Sequence, residues 1–265
     1  MKVSVKHLVV LVASLALVSV AFESMGAEGA PGKKKAGGGK AGSGAKAKAR
    51  PSGPPPDPSV PAPKGGGKDE RFMKMHDEFV ARAKQGNIGL LFIGDSITEG
   101  WRGAQEVWKK NYEPYNPANF GIGGDQTQHV LWRILNGELE GISPKVAVLM
   151  IGTNNTGANT AKSIAQADAK IVETIRTKLP NTRVLLLAIF PRSDAVLQKK
   201  IDEINKELAQ LDDGKTVRYF DIGKKFLDAD GNIPKDIMPD GLHPNAKGYE
   251  IWAEAMNPLL QEMMK

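Results

Sequence analysis

From Asp69 onward the apolar residues follow two alternating patterns. Residues 69–85 repeat with a helical period, with Phe72, Met75, Phe79 and Val80 on one face, so the spacing predicts an amphipathic helix. Short apolar runs then alternate with further helical patterns. Strands are predicted at 89–93, 115–120, 146–151, 183–189 and 216–220. Between the second and third run lies a helical stripe of Val130, Leu131, Ile134 and Leu135. The next carries Ile164, Ile171, Val172, Ile175 and Leu179, and the third Leu197, Ile201, Ile204, Leu208 and Leu211. A last helix over roughly 245–263 presents Tyr249, Trp252, Met256, Leu259 and Leu260. The runs VAVLMI and VLLLAI are apolar at every position, as strands covered on both faces must be. Strand–helix alternation of this kind predicts an α/β domain with a parallel sheet between two helical layers.

The first 68 residues follow neither pattern. Lys2 and Lys6 precede an apolar run from Leu8 to Phe22, and small residues follow at Ser24, Gly26 and Ala27. That run is short for a membrane span, which needs about 20 residues. It reads as a secretory signal peptide over 1–27, placing the protein in the periplasm or outside the cell. Residues 28–68 are rich in Gly, Ala, Lys and Pro and have little to bury, so the segment is expected to be a disordered basic linker. It acts as a spacer on the plainer reading, and on the sharper one as an electrostatic attachment to an anionic cell-wall polymer or nucleic acid. Its nine Lys/Arg and two acids give +7, more than the +6 of the whole 265-residue chain. The remainder, 69–265, is therefore near neutral and does not look like a nucleic-acid-binding domain. With no cysteine, disulfides, thiolate metal sites and a thiol nucleophile are excluded.

Sites in open parallel sheets form beyond the carboxyl ends of the strands, and four such ends carry chemistry here. Gly94-Asp95-Ser96 follows the first strand, and Gly121-Ile122-Gly123-Gly124-Asp125 the second. Gly152-Thr153-Asn154-Asn155 follows the third. After the fifth, the 24 residues from Asp221 to Pro244 contain Asp240-Gly241-Leu242-His243. Acyl transfer uses all of these groups. Ser96 is a nucleophile once His243 takes its proton, and Asp240 holds the other imidazole nitrogen. The backbone N–H groups of Ser96 and Gly124 and the carboxamide of Asn154 can stabilise an oxyanion. Asp95 orders the turn by accepting backbone hydrogen bonds. His76 and His129 fall on predicted helices as surface or packing residues. Trp101 and Asn155 are candidate substrate contacts.

Other motifs break down. Gly121-Ile122-Gly123-Gly124 lacks the third glycine of a dinucleotide fingerprint, and Ala209 stands where a phosphate-binding loop ending in Gly214-Lys215-Thr216 needs glycine. In Asp228-Ala229-Asp230-Gly231 the glycine comes too early for a calcium loop. Thr98 replaces the last glycine of a G-x-S-x-G elbow. No metal cluster is evident, and the chemistry needs no cofactor.

The blocks Gly94-Asp95-Ser96-Ile97, Gly124, Gly152-Thr153-Asn154 and Asp240-x-x-His243 resemble those of the SGNH (GDSL-type) hydrolases over roughly 87–262. NFGIGGD at 119–125, HVLWR at 129–133, NGELE at 136–140 and GTNN at 152–155 look like the catalytic subunits of intracellular platelet-activating-factor acetylhydrolases, and like secreted bacterial esterases of that branch. The resemblance implies a flavodoxin-like three-layer fold with a five-stranded sheet of order 2-1-3-4-5. It implies a Ser/His/Asp esterase with oxyanion roles on Ser96, Gly124 and Asn154. Subunits of that family often pair, so it also admits a homodimer. Ile97 stands where the motif has leucine, and Asn155 where many members have aspartate. The expected protein is an exported carboxylic-ester hydrolase acting on short acyl groups, acetyl above all, with a carbohydrate as one candidate alcohol. A lysophospholipase or thioesterase using the same triad, or a cell-wall glycan-binding protein, are the competing readings.

Overall fold

The computed structural model describes residues 53–265; the expected signal peptide and the linker up to 52 lie outside the described residues. Five parallel strands form one sheet: β1 (Leu90–Gly94), β2 (Pro117–Gly121), β3 (Val146–Met150), β4 (Arg183–Leu187) and β5 (Val217–Phe220). Their order is β2-β1-β3-β4-β5, as the resemblance implies. The helices are α1 (Glu70–Lys84), α2 (Ser96–Glu99), α3 (Gln105–Tyr112), α4 (Thr127–Leu135), α5 (Ala161–Lys178), α6 (Ala195–Leu208) and α7 (Ala246–Met263).

The period-two geometry of strands divides the apolar residues between two cores. Leu91 and Ile93 of β1, with Ala147 and Leu149 of β3, face α1, α4, α5 and α6. Leu90 and Phe92, with Val146 and Val148, face α3 and α7 on the other side. Both faces are covered, which is why the strands lack polar alternation. The register aligns their ends: Gly94 pairs with Gly121 on one side and Met150 on the other. The loops after β1, β2 and β3 therefore leave the sheet at one level.

Two expectations about segments change. No helix is predicted between the first two strands, yet α2 and α3 lie there. QEVWKKNY carries too few apolar residues to show a stripe, and α3 is held by packing on α7. The segment assigned to the linker is, within the described residues, attached to the domain. Thr127 Oγ1 donates to Pro58 O at 2.9 Å, Asn159 Nδ2 to Pro56 O at 3.0 Å, and Ala62 N to Gln128 O at 3.2 Å. Proline-rich chain loses little entropy on ordering. Its backbone carbonyls are acceptors that a count of apolar side chains overlooks.

Candidate active site

The chain turns sharply after β1. Asp95 caps α2, its Oδ1 accepting from Ile97 N at 2.9 Å, so Ser96 emerges directly beyond the strand. A Cβ on Gly94 would lie 2.1 Å from Thr98 Oγ1 and 2.4 Å from Met150 O, so this close approach requires glycine. Tyr249 of α7 donates to Ile97 O at 2.7 Å, and Asn119 of β2 to Thr98 O at 2.9 Å, fixing the turn from both flanks. Asp95 is buried, and burial pushes its carboxyl up to about 7 although the Ile97 N–H pulls the other way.

His243 comes from the far edge of the sheet. In this strand order β5 lies three spacings from β1, roughly 14 Å at about 4.8 Å each. The long connection crosses that distance by burying Ile237 and Met238 and by an Asn245 N to Ile237 O bond of 2.9 Å. Ser193, after β4, donates from its N–H to Gly241 O at 3.1 Å. His243 Nε2 arrives 2.8 Å from Ser96 Oγ, and His243 Nδ1 lies 2.6 Å from Asp240 Oδ2. Asp240 Oδ1 accepts from Leu242 N at 3.0 Å and His243 N at 2.8 Å. Partial burial alone would raise this carboxyl. The imidazole hydrogen bond and the two N–H groups outweigh it and hold Asp240 at about 2. It therefore stays ionised wherever His243 could act as a base.

The other loops complete the rim. Gly124 adopts φ +74°, a left-handed conformation that favours glycine. The Asn154 carboxamide donates from Nδ2 to Asp125 O at 2.8 Å and to Asp95 Oδ2 at 3.4 Å, and the Asn154 backbone carbonyl accepts from Gln126 Nε2 at 3.0 Å, so the residue is held against the Gly124 loop. Among the described residues neither the Ser96 N–H nor the Gly124 N–H meets a protein acceptor. An open depression of about 320 Å³ adjoins Ser96 and His243, lined also by Gly100, Gly103, Ala246 and Tyr249.

The structure thus brings Ser96, His243, Asp240, Gly124 and Asn154 to one rim, and it corrects two candidate substrate contacts. Trp101 is wholly buried, with ring centroids 4.6 Å from Tyr249 and 5.0 Å from Trp252. The turn through α2 sends the chain back into the core instead of along the rim. Asn155 is also wholly buried. Its Oδ1 accepts from Thr127 N at 3.0 Å and its Nδ2 donates to Gln128 at 3.1 Å, so it braces α4 and meets no open space. His76 and His129 are packing residues, as read from the helical pattern. Burial drives His129 down to about 4, with Lys64 and Arg133 adding to the effect, and its neutral Nδ1 accepts from Gln126 N at 3.0 Å.

The sequence reading missed a buried ionic network beneath the glycine loop. Arg133 Nε donates to Asp125 Oδ2 at 2.9 Å, Nη1 to Glu138, and Nη2 to Phe120 O at 3.1 Å. Glu138 also meets His76 Nδ1 at 2.9 Å. Burial lifts Asp125 to about 6 despite Arg133 and Lys64. The one available signal was the position of Arg133 amid Val130, Leu131 and Ile134, where a solvent-facing arginine is out of place.

A hydroxyl, an imidazole and a carboxylate in sequence at the carboxyl rim of a parallel sheet define a three-layer α/β ester hydrolase. The GDSL-like Lipase/Acylhydrolase family model matches residues 92–251. The human platelet-activating factor acetylhydrolase IB subunit alpha2 is 36% identical over 200 residues, covering 74% of this chain and 86% of that protein. The human alpha1 subunit is 37% identical over 199 residues, covering 74% and 85%. A solved GDSL-like lipase from Bacteroides thetaiotaomicron shares the fold at TM-score 0.58 and 19% identity, covering 73% of this chain and 97% of that one. The chain belongs to the GDSL-like lipase/acylhydrolase family, and it is an esterase of that kind.

Proposed function

We propose that the protein is an exported serine esterase that removes short acyl groups, acetyl foremost, through an acyl-enzyme. The observation that carries the mechanism is the continuous relay of 2.8 Å from Ser96 Oγ to His243 Nε2 and 2.6 Å from His243 Nδ1 to Asp240. Ser96 Oγ attacks the ester carbonyl as His243 takes its proton, and the imidazolium returns that proton to the leaving alcohol. Water, deprotonated by the same imidazole, then hydrolyses the acyl-Ser96 ester. The negative oxygen formed in each step is stabilised by the Ser96 and Gly124 N–H groups and the Asn154 carboxamide. Asn154→Ala is expected to lower kcat by about 10²–10³-fold with KM little changed, since its donor acts on charge present only in the transition state. Steady-state kinetics on p-nitrophenyl acetate checks this.

Three features support the substrate reading. The relatives at 36–37% identity are named as acetylhydrolases. The depression beside Ser96, at about 320 Å³, is at the low end of the roughly 300–1,000 Å³ of ligand pockets. Its open form leaves room for a sugar-sized alcohol. Export rests on Lys2, Lys6 and the Leu8–Phe22 run, and the basic residues of 28–52 would attach the enzyme to an anionic wall polymer. The deciding measurement is a series of p-nitrophenyl esters from acetate to octanoate, run beside acetylated sugars and acetylated phospholipids. We expect kcat/KM to fall at each lengthening of the acyl chain. A rise with chain length would replace this reading with a lysophospholipase or thioesterase.

A further inference from the structure

Gly123 is held on both sides, through its N–H and through the carbonyl it shares with the Gly123–Gly124 peptide. Gly123 N donates to Glu99 Oε2 at 2.7 Å, and Glu99 is itself held by Arg71 of α1 at 2.5 Å. Gly123 O accepts from Lys64 Nζ at 2.6 Å. Lys64 Nζ also lies 4.0 Å from Asp125 Oδ1, and 3.0 Å from the point a Cβ on Gly124 would occupy. Lys64 lies ahead of the region matched by the family model, which begins at 92. It sits in the proline-rich segment that reads from composition as a spacer.

The geometry of a peptide gives this contact a consequence. The Gly123 carbonyl and the Gly124 N–H belong to one planar trans unit and point in opposite directions. Anchoring the carbonyl on Lys64 therefore aims the N–H away from the lysine. A charge-assisted hydrogen bond is also stronger than a neutral one, and it polarises the peptide so that its N–H becomes a better donor. The same segment spans both oxyanion loops. Pro58 and Ala62 are bonded to Thr127 and Gln128, just after the Gly124 loop. Pro56 is bonded to Asn159, whose Oδ1 accepts from Asn155 Nδ2 at 3.3 Å, beside Asn154.

We propose that Lys64 is a positioning residue of the oxyanion hole, its ammonium holding and polarising the Gly123–Gly124 peptide so that the Gly124 N–H donates to the tetrahedral intermediate. The inference rests on the oxyanion reading given under Proposed function. It assigns the segment at 53–68 to the catalytic machinery, so enzyme trimmed to begin at Asp69 would lack part of its site.

The test uses the full chain carrying Lys64→Met, Lys64→Gln or Lys64→Arg, with kcat and KM measured on p-nitrophenyl acetate and folding followed by circular dichroism. Lys64→Met is expected to lower kcat about 10- to 100-fold with KM within about twofold, a fraction of the loss for a whole oxyanion donor. Lys64→Gln keeps a neutral donor and should fall between Met and wild type. Lys64→Arg keeps the charge and should recover most of the rate. Should the methionine variant not fold, the glutamine and arginine variants give the same ordering. Wild-type kcat in the neutral variants, a change in KM alone, or arginine no better than methionine would each overturn the proposal. Asn154→Ala, run in parallel, separates the two failures. If it leaves kcat intact, the oxyanion reading itself is wrong. If it lowers kcat while Lys64→Met does not, only the role of Lys64 is lost.

Discussion

Ser96→Ala is expected to lower kcat for p-nitrophenyl acetate by on the order of 10⁴–10⁶-fold, leaving KM nearly unchanged. The hydroxyl is the atom that forms the acyl bond, and no cysteine exists to replace it. A water taking its place would lack the fixed 2.8 Å approach to His243 Nε2. What remains should be the contribution of the Gly124 and Asn154 donors, typically about 10³–10⁴ over water in hydrolases that have lost a triad member. His243→Ala should fall to a similar level, and the double variant hardly further, because the two side chains act as one device. Stoichiometric labelling by a fluorophosphonate in wild type and none in Ser96→Ala would accompany this result. Turnover retained by the alanine variant would remove Ser96 from the mechanism.

Arg133→Met should be the largest loss of stability, about 3–5 kcal/mol in urea unfolding. The guanidinium is wholly buried between Asp125 and Glu138, which are also wholly buried. Methionine fills a similar volume but removes the cation between the two carboxylates, leaving Asp125 only the more distant Lys64 at 4.0 Å and Glu138 only the His76 imidazole. The loss should depend on pH in a definite direction. Burial already raises Asp125 to about 6 with Arg133 present, and removing the arginine raises it further. The folded variant then binds more protons than its unfolded chain, so its stability falls as pH rises. The deficit against wild type should be smallest near pH ~5 and grow towards pH ~8. A deficit that is flat with pH, or below about 1 kcal/mol, would show that water reaches the pair. Because Asp125 follows Gly124 directly, activity should fall before global unfolding.

Legibility in the sequence followed the physics of each feature. Strand positions came out within a few residues because a strand covered on both faces has few polar residues to blur it. The five main helices showed their apolar stripes. Helix α3 did not, because its place is decided by contact with α7 and not by its own period. Ser96, Gly124, Asn154, Asp240 and His243 were legible because strand ends in a parallel sheet are where such groups collect. Trp101 was misplaced for a related reason. Its position five residues after the nucleophile suggested the rim, and only the turn through α2 shows it entering the core. Lys64 lay in a segment judged by its lack of apolar side chains, a measure blind to carbonyls and to a single ammonium.

By itself the sequence determined the α/β class, the covered strands, and the group of residues able to carry out acyl transfer. These depend on local spacing and side-chain chemistry, which are written along the chain. The tertiary structure alone decided which groups meet. It brought His243 from the far edge to 2.8 Å from Ser96. It buried Arg133 between Asp125 and Glu138, which flank helix α4 outside its ends and meet it only through the folding of the two loops. It laid residues 53–68 across both oxyanion loops. Such contacts join residues up to 147 positions apart, and their energies depend on distance and burial, which only the folded chain defines.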